Sequence, residues 1–123
     1  MSEPQVYISG LLNITVADKD DIINVLWAGK SVDRKPSKFI TPILADVLMR
    51  SGDSRKRIVL DFRPLEYMNS STITPVIKVL ERVMTGTASL ELLYNKAQNW
   101  QDLTFSALKI FETEDQRVQI KGT

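Results

Sequence analysis

The amino-acid sequence predicts an α/β fold: a mostly parallel sheet with an antiparallel hairpin at its N-terminal end and helices packed on it. Three observations predict it. Over the last two thirds of the chain, short apolar runs alternate with longer segments whose apolar residues recur at helical spacing. One run, Ile58-Val59-Leu60-Asp61-Phe62, is almost continuously apolar, as in a strand covered on both faces. The first third holds two β-rich runs separated by a charged turn, the pattern of a hairpin. At 123 residues the chain is long enough to bury a core of its own, so one domain, 1–123, is expected.

The elements follow in order. Val6–Val16 is rich in β-branched residues and reads as one strand, with Gly10 as a bulge or bend. Ala17–Asp21 is a polar turn, and Ile22–Ala28 is the second strand. Gly29–Lys35 is a charged loop. From Pro36 to Arg50 the pattern turns helical, with an apolar face of Phe39, Ile40, Ile43, Leu44, Val47, Leu48 and Met49. Pro42 lacks an N–H and clashes with a preceding turn, so the regular helix is expected from near Thr41, with Gly52 as its stop. The strand Ile58–Phe62 comes next. The second helix carries Ile73, Val76, Ile77, Leu80 and Met84 on one stripe. Pro75 must sit in its first turn, which predicts a cap at Ser71 or Thr72; Gly86 closes the helix. Ser89–Tyr94 is a strand. Asn99 is the expected cap of a helix running to about Phe111, with Trp100, Leu103, Ala107, Leu108 and Phe111 inward. Arg117–Lys121 alternates and closes the sheet. The expected order is β-β-α-β-α-β-α-β.

Composition narrows the function. The net charge is +1, from 16 basic and 15 acidic side chains, which gives no electrostatic case for nucleic acid or an anionic membrane. No segment approaches the roughly 18 consecutive apolar residues that a membrane span needs. The N-terminal residues lack the basic-then-apolar pattern of a signal peptide, and cysteine is absent, so a cytoplasmic protein is expected. Without histidine or cysteine there are no zinc sites built on those ligands and no Ser–His or Cys–His nucleophile pairs. Glycine-rich phosphate loops and the GxSxG elbow are also missing. The expectation is a protein that binds without catalysing, with no cofactor.

The candidate site is Asn69-Ser70-Ser71-Thr72, where the second helix should begin. Ser, Thr and Asn are the preferred helix caps, so the cluster has a purely structural reading. It also lies past the carboxyl end of an apolar strand, where ligands and partners gather in open α/β sheets. A phosphate on Ser70 would add about −1.5 to −2 charges near neutral pH. A helix N-terminus tolerates that charge, whereas an apolar partner docked over the loop does not. Phosphorylation would then release a partner without unfolding the domain. Other candidates have plainer readings. Asp18, Asp20 and Asp21 fit a solvated turn better than a metal site. Arg55-Lys56-Arg57 fits a solvated flank of the buried strand. Trp100 lies on an apolar stripe, Trp27 is open to core or interface, and Asp61 is the one charge in its strand.

The apolar strand, the loop with Leu65-Glu66-Tyr67, and Met68-Asn69-Ser70-Ser71 before an apolar helix resemble the STAS domain of bacterial anti-sigma factor antagonists. The stretch is most similar to the SiaC-type regulatory phosphoproteins. The likeness is strongest over Ile58–Val83. It departs from the antagonists at Asn69, where they have aspartate, and at Thr72, where they have glycine. No acidic stretch of the SiaC kind follows Tyr94. The resemblance implies a STAS-like single domain and a partner-switching cycle. Ser70 falls on the phosphorylated hydroxyl, with Ser71 as second choice. Leu65, Glu66, Tyr67, Met68, Asn69, Ser70, Ser71 and Thr72 fall on the partner-binding stretch. The implied partners are an anti-sigma-factor-like serine/threonine kinase, a metal-dependent protein phosphatase, and an effector, either an anti-sigma factor or a diguanylate cyclase. A monomer or weak dimer is expected. The alternatives left open are an interaction module whose serines only cap, and an α/β domain that binds a small phosphorylated ligand.

Overall fold

Gly10 divides the first apolar run in two. The computed structural model describes residues 3–123; Met1 and Ser2, at the start of the expected domain 1–123, lie outside them. In place of one strand over Val6–Val16 there are β1 (Gln5–Ser9) and β2 (Leu12–Lys19), paired antiparallel across the two-residue turn Gly10-Leu11. Gly10 has φ +59°, as the first central residue of a type II′ hairpin turn requires. A second tight turn, Asp20-Asp21, leads into β3 (Ile22–Ser31), which runs past the expected end at Ala28. Gly29 makes this extension possible. Its φ is +84°, and a Cβ there would lie 2.0 Å from the Leu11 carbonyl oxygen. The pairing of β3 shifts register at Gly29/Lys30, which aims the end of the strand at a new neighbour.

The first helix, α1 (Ser37–Ser54), starts four residues earlier than Thr41 and passes through both Pro42 and Gly52. Pro36, with φ −64°, precedes it and presets a helical entry. Pro42 is tolerated because it lies on the solvent side, where water can bond the carbonyl it leaves free. Gly52 is not the stop; the left-handed terminal residue is Arg55, with φ 58°. The inward face is Ile40, Ile43, Leu44, Val47 and Ser51, while Met49 points to solvent.

Strand β4 (Arg57–Asp61) lies parallel to β3. A further strand, β5 (Leu65–Met68), occupies what the sequence suggested was loop, and pairs with the far end of β3. Next come a 3₁₀ turn, Ser70–Thr72, and α2 (Ile73–Thr85). Its stripe is rotated from the expected one, so that Pro75, Val76, Val79, Leu80 and Val83 are buried. Strand β6 (Leu90–Tyr94) leads to α3 (Asn99–Ser106), a 3₁₀ extension Ala107–Phe111, and β7 (Val118–Gly122). Asn99 is the first residue of α3 rather than its cap, which is Gln98. Leu103 points to solvent, and Gln101, Phe105 and Leu108 take the buried positions.

The result is a seven-stranded mixed sheet of order β1-β2-β3-β4-β6-β7, with β5 continuing beside β3. Strands β3 to β7 are parallel and the N-terminal hairpin is antiparallel. Successive parallel strands step in one direction, so right-handed crossovers carry all three helices to one face. Alternation along the strands agrees: Leu12, Ile14, Val16, Ile23, Val25, Trp27, Leu90, Leu92, Val118 and Ile120 are buried, with half-exposed residues between them. The central strand is therefore not covered by helices on both faces. Val59 and Asp61 are buried on the open face because each lies between two strands, Val59 beside Asn24 and Glu91, and Asp61 beside Leu26 and Leu93. An aromatic run crosses the core, with ring centroids 4.6 Å apart for Trp27–Phe62 and 4.7 Å for Phe62–Phe105.

Candidate functional site

The site stands at the carboxyl ends of β3 and β5. Three successive register pairs between them end at Ser31 and Met68, and the Asn69 N–H extends the ladder to the Ser31 carbonyl at 2.9 Å. The loop before β5 is pinned from below by Gln101, which is fully buried. Its Nε2 donates to the carbonyls of Phe62 (2.7 Å) and Leu65 (2.9 Å), and its Oε1 accepts from the Asn95 N–H at 2.7 Å. One α3 side chain thus supplies strand-like partners to an irregular segment, whose Phe62 carbonyl also accepts from the Leu65 N–H at 3.0 Å.

Thr72 holds the cap position of α2, within the expected pair Ser71 or Thr72, but its side chain caps nothing; the side chain that caps is Asn69, at the head of the 3₁₀ turn. The Asn69 Oδ1 accepts from the Thr72 N–H at 3.1 Å and from the Thr72 hydroxyl at 2.7 Å. Its Nδ2 donates to the Asp33 carbonyl at 2.7 Å, tying the loop after β3 to the start of the helical segment. The capping side chain lies three residues earlier because the entry is a 3₁₀ turn, which inserts Ser70–Thr72 ahead of α2; Pro75 falls in the first turn of α2, as expected. Thr72 lies fully buried, 2.7 Å from the Ser31 hydroxyl. A hydroxyl has one proton, and that of Thr72 goes to Asn69, so Ser31 donates to Thr72. This chain of Ser31, Thr72, Asn69 and Asp33 fixes the geometry of the turn.

The expected partner-binding stretch divides by exposure. Leu65, Met68 and Thr72 face the core and anchor the loop. Glu66, Tyr67, Ser70 and Ser71 are exposed, with Tyr67 48% accessible, and Asn69 is half-buried. Ser70 is the first residue of the 3₁₀ turn and not a residue outside the helical segment. Among the described residues, neither the Ser70 nor the Ser71 side chain makes a hydrogen bond within the protein. A groove of about 270 Å3 opens beside the site, with Ser31, Asp33, Leu11, Val32 and Phe39 in its lining.

The remaining candidates fall elsewhere. Asp61 accepts from the Arg63 backbone N–H at 3.1 Å and holds its guanidinium in a two-pronged ion pair, at 2.9 and 2.8 Å. That bond keeps the Arg63 guanidinium above its ordinary pKa. Trp27 is core. Trp100 is half-buried, its Nε1 donating to the Gln98 side chain at 3.1 Å. Asp18 is engaged by Arg50 and Lys56, and Arg57 faces Glu91 at 3.6 Å. Gln101 and Ser31 belong to the site's framework but carried no signal in the sequence, since their roles rest on pairings 36 to 41 residues away. No protein-family model matches the chain, and no curated protein matches it in sequence.

Proposed function

We propose that this chain is a non-catalytic regulatory phosphoprotein of a STAS-like partner-switching system, switched at Ser70. The observation that supports this reading is the division of labour at the turn. Asn69 does the capping and Thr72 the anchoring, which leaves the adjacent Ser70 and Ser71 hydroxyls exposed and uncommitted. The capping-only alternative would have Ser70 or Ser71 cap the helix, and the capping side chain is Asn69. A phosphate on Ser70 would sit at the amino end of a helical segment, where negative charge is favoured, so the modified domain stays folded.

The unmodified form presents Glu66, Tyr67, Ser70 and Ser71 as a rigid surface for an effector, an anti-sigma factor or a diguanylate cyclase. A serine/threonine kinase that itself binds this surface adds the phosphate, and a metal-dependent phosphatase removes it. The test is to incubate the protein with ATP and the kinases encoded near its gene, and to locate phosphate by mass spectrometry. The expected result is one phosphate on Ser70, abolished in Ser70→Ala and reversed by the phosphatase. Absence of phosphate from both Ser70 and Ser71 with every kinase would sink the reading.

A further inference from the structure

We infer that the outer edge of β1 is a self-association surface, on which a second copy of this chain adds its own β1 antiparallel to form one continuous sheet. The hairpin geometry supplies the first step. In a two-residue hairpin the closing pair is hydrogen-bonded and bonding alternates along the strands. Ser9/Leu12 is that closing pair, so Tyr7/Ile14 and Gln5/Val16 are also bonded, while the main-chain groups of Val6 and Ile8 point away from β2. Unpaired N–H and C=O groups in a row are a template for another extended strand and for little else.

The devices that blunt such an edge are sparse here. Gln5-Val6-Tyr7-Ile8-Ser9 carries no charge, and Val6 and Ile8 are 59% and 65% exposed on the helix-free face of the sheet. The opposite edge shows the contrast. On β7, the Ile120 N–H donates to the Glu112 carboxylate at 3.0 Å and the Val118 N–H to the Thr113 hydroxyl at 3.1 Å. The Val118 carbonyl accepts from the Thr113 N–H at 3.3 Å. The segment before β7 thus folds back and occupies the outward groups of Val118 and the outward N–H of Ile120.

That asymmetry selects the occupant. Pairing β1 with β7 of another copy would propagate into a filament, but the preceding segment already covers β7 along Val118–Ile120. Pairing β1 with β1 is isologous and stops at two. With Tyr7 on the two-fold axis, Val6 of one copy stands opposite Ile8 of the other. Their outward groups then exchange four main-chain hydrogen bonds, and the four aliphatic side chains join in one strip on the open face. Pro4 and Gly10 bound the strand, so the contact is short and the dimer weak.

The experiment pairs sedimentation equilibrium of the full chain, over a concentration series reaching the millimolar range, with NMR amide exchange at both ends of that series. The expected result is a monomer–dimer equilibrium in which the Val6 and Ile8 amides exchange more slowly at high concentration. Ile8→Lys and Val6→Lys, exposed and thus able to fold, should weaken association at least tenfold while leaving the melting temperature near that of the parent. A monomer throughout would overturn the inference and leave the edge to a strand of some other protein. A dimer whose Val6 and Ile8 amides do not change, or one that persists in both lysine variants, would overturn it as well.

Discussion

Asn69→Ala is the sharpest perturbation of the site, because one truncation removes three hydrogen bonds. Loss of a helix cap costs about 1 kcal/mol. Loss of the bond from Nδ2 to the Asp33 carbonyl, half-exposed, adds about 0.5–1 kcal/mol. The third bond matters most. Thr72 is fully buried, and once its acceptor is gone the Ser31–Thr72 pair holds two hydroxyl protons and one internal acceptor. One O–H must stay unpaired, at about 1–2 kcal/mol. The total is about 3 kcal/mol, which for a domain of this size lowers Tm by about 12 °C. Asn69→Asp keeps the acceptor and loses only the donor, so it should recover most of the loss. Ser70→Ala and Ser71→Ala remove no bond and should stay within about 0.5 kcal/mol of the parent. The assay is thermal and urea unfolding followed by circular dichroism. If Asn69→Ala costs under 0.5 kcal/mol, or if either serine variant costs as much as it does, the assignment of capping to Asn69 is refuted.

Four further outcomes are expected. Gln101→Leu should destabilise by about 2–4 kcal/mol, because it removes the bonds to the Phe62 and Leu65 carbonyls and takes the acceptor from the Asn95 N–H, while the Phe62 carbonyl keeps its bond from the Leu65 N–H; hydrogen exchange should show the loop before β5 loosening first, and uniform loosening would argue against a pin there. Arg117 donates to the carbonyls of Val83, Met84 and Ala88, each at 3.0 Å, so it caps the carboxyl end of α2 from a distance; Arg117→Lys should recover less than half of the unfolding free energy lost in Arg117→Ala. Asp115 is pulled down to about 2 by the Thr113 hydroxyl and then by the Arg117 N–H and guanidinium. Its folded value lies below the ordinary carboxylate range, so its support of the turn into β7 is present above about pH 4 and is lost as pH falls through about 2. An NMR titration of the Asp115 carboxyl giving an ordinary midpoint would contradict this. Ser70→Asp should melt within about 0.5 kcal/mol of the parent and fail to bind the effector, and a variant that unfolds would show the turn to be load-sensitive structure instead of a switch.

The parts of the fold that could be read from the sequence are those where local pattern and tertiary demand agree. The apolar run around Leu60, the helical stripe through Val76 and Leu80, and the alternation near Val118 each announce their element type from local pattern. Misreadings occur where a single residue acts through distant geometry. Gly10 is followed by two leucines, so nothing polar marks a turn, yet two residues and one positive φ suffice. Pro42 looks like a helix breaker until its side of the helix is known to face water. Strand β5 has only four residues, with exposed Glu66 and Tyr67 between buried ends, and exists because β3 bends at Gly29 to meet it. The cluster Asn69–Thr72 was visible, but its internal assignment was not. The residue that settles the roles is Ser31, some forty positions away, whose hydroxyl makes Thr72 an interior residue.

That same network bears on how a signal at Ser70 would be read. The turn is held on both sides: Asn69 grips the loop after β3 through Asp33, and Thr72 is locked to Ser31 beneath it. A turn fixed at two points cannot swing away when it gains charge, so phosphorylation has little conformational freedom to exploit. The effect must then be local, through charge repulsion and desolvation at the docked surface. This distinguishes it from an order–disorder switch. Phosphorylated protein should show amide exchange at Asn69–Thr72 no faster than the unmodified form, while effector affinity falls at least a hundredfold. If exchange through the turn accelerates instead, the Ser31–Thr72–Asn69 lock has opened, and the switch works by releasing the turn rather than by charging a rigid one.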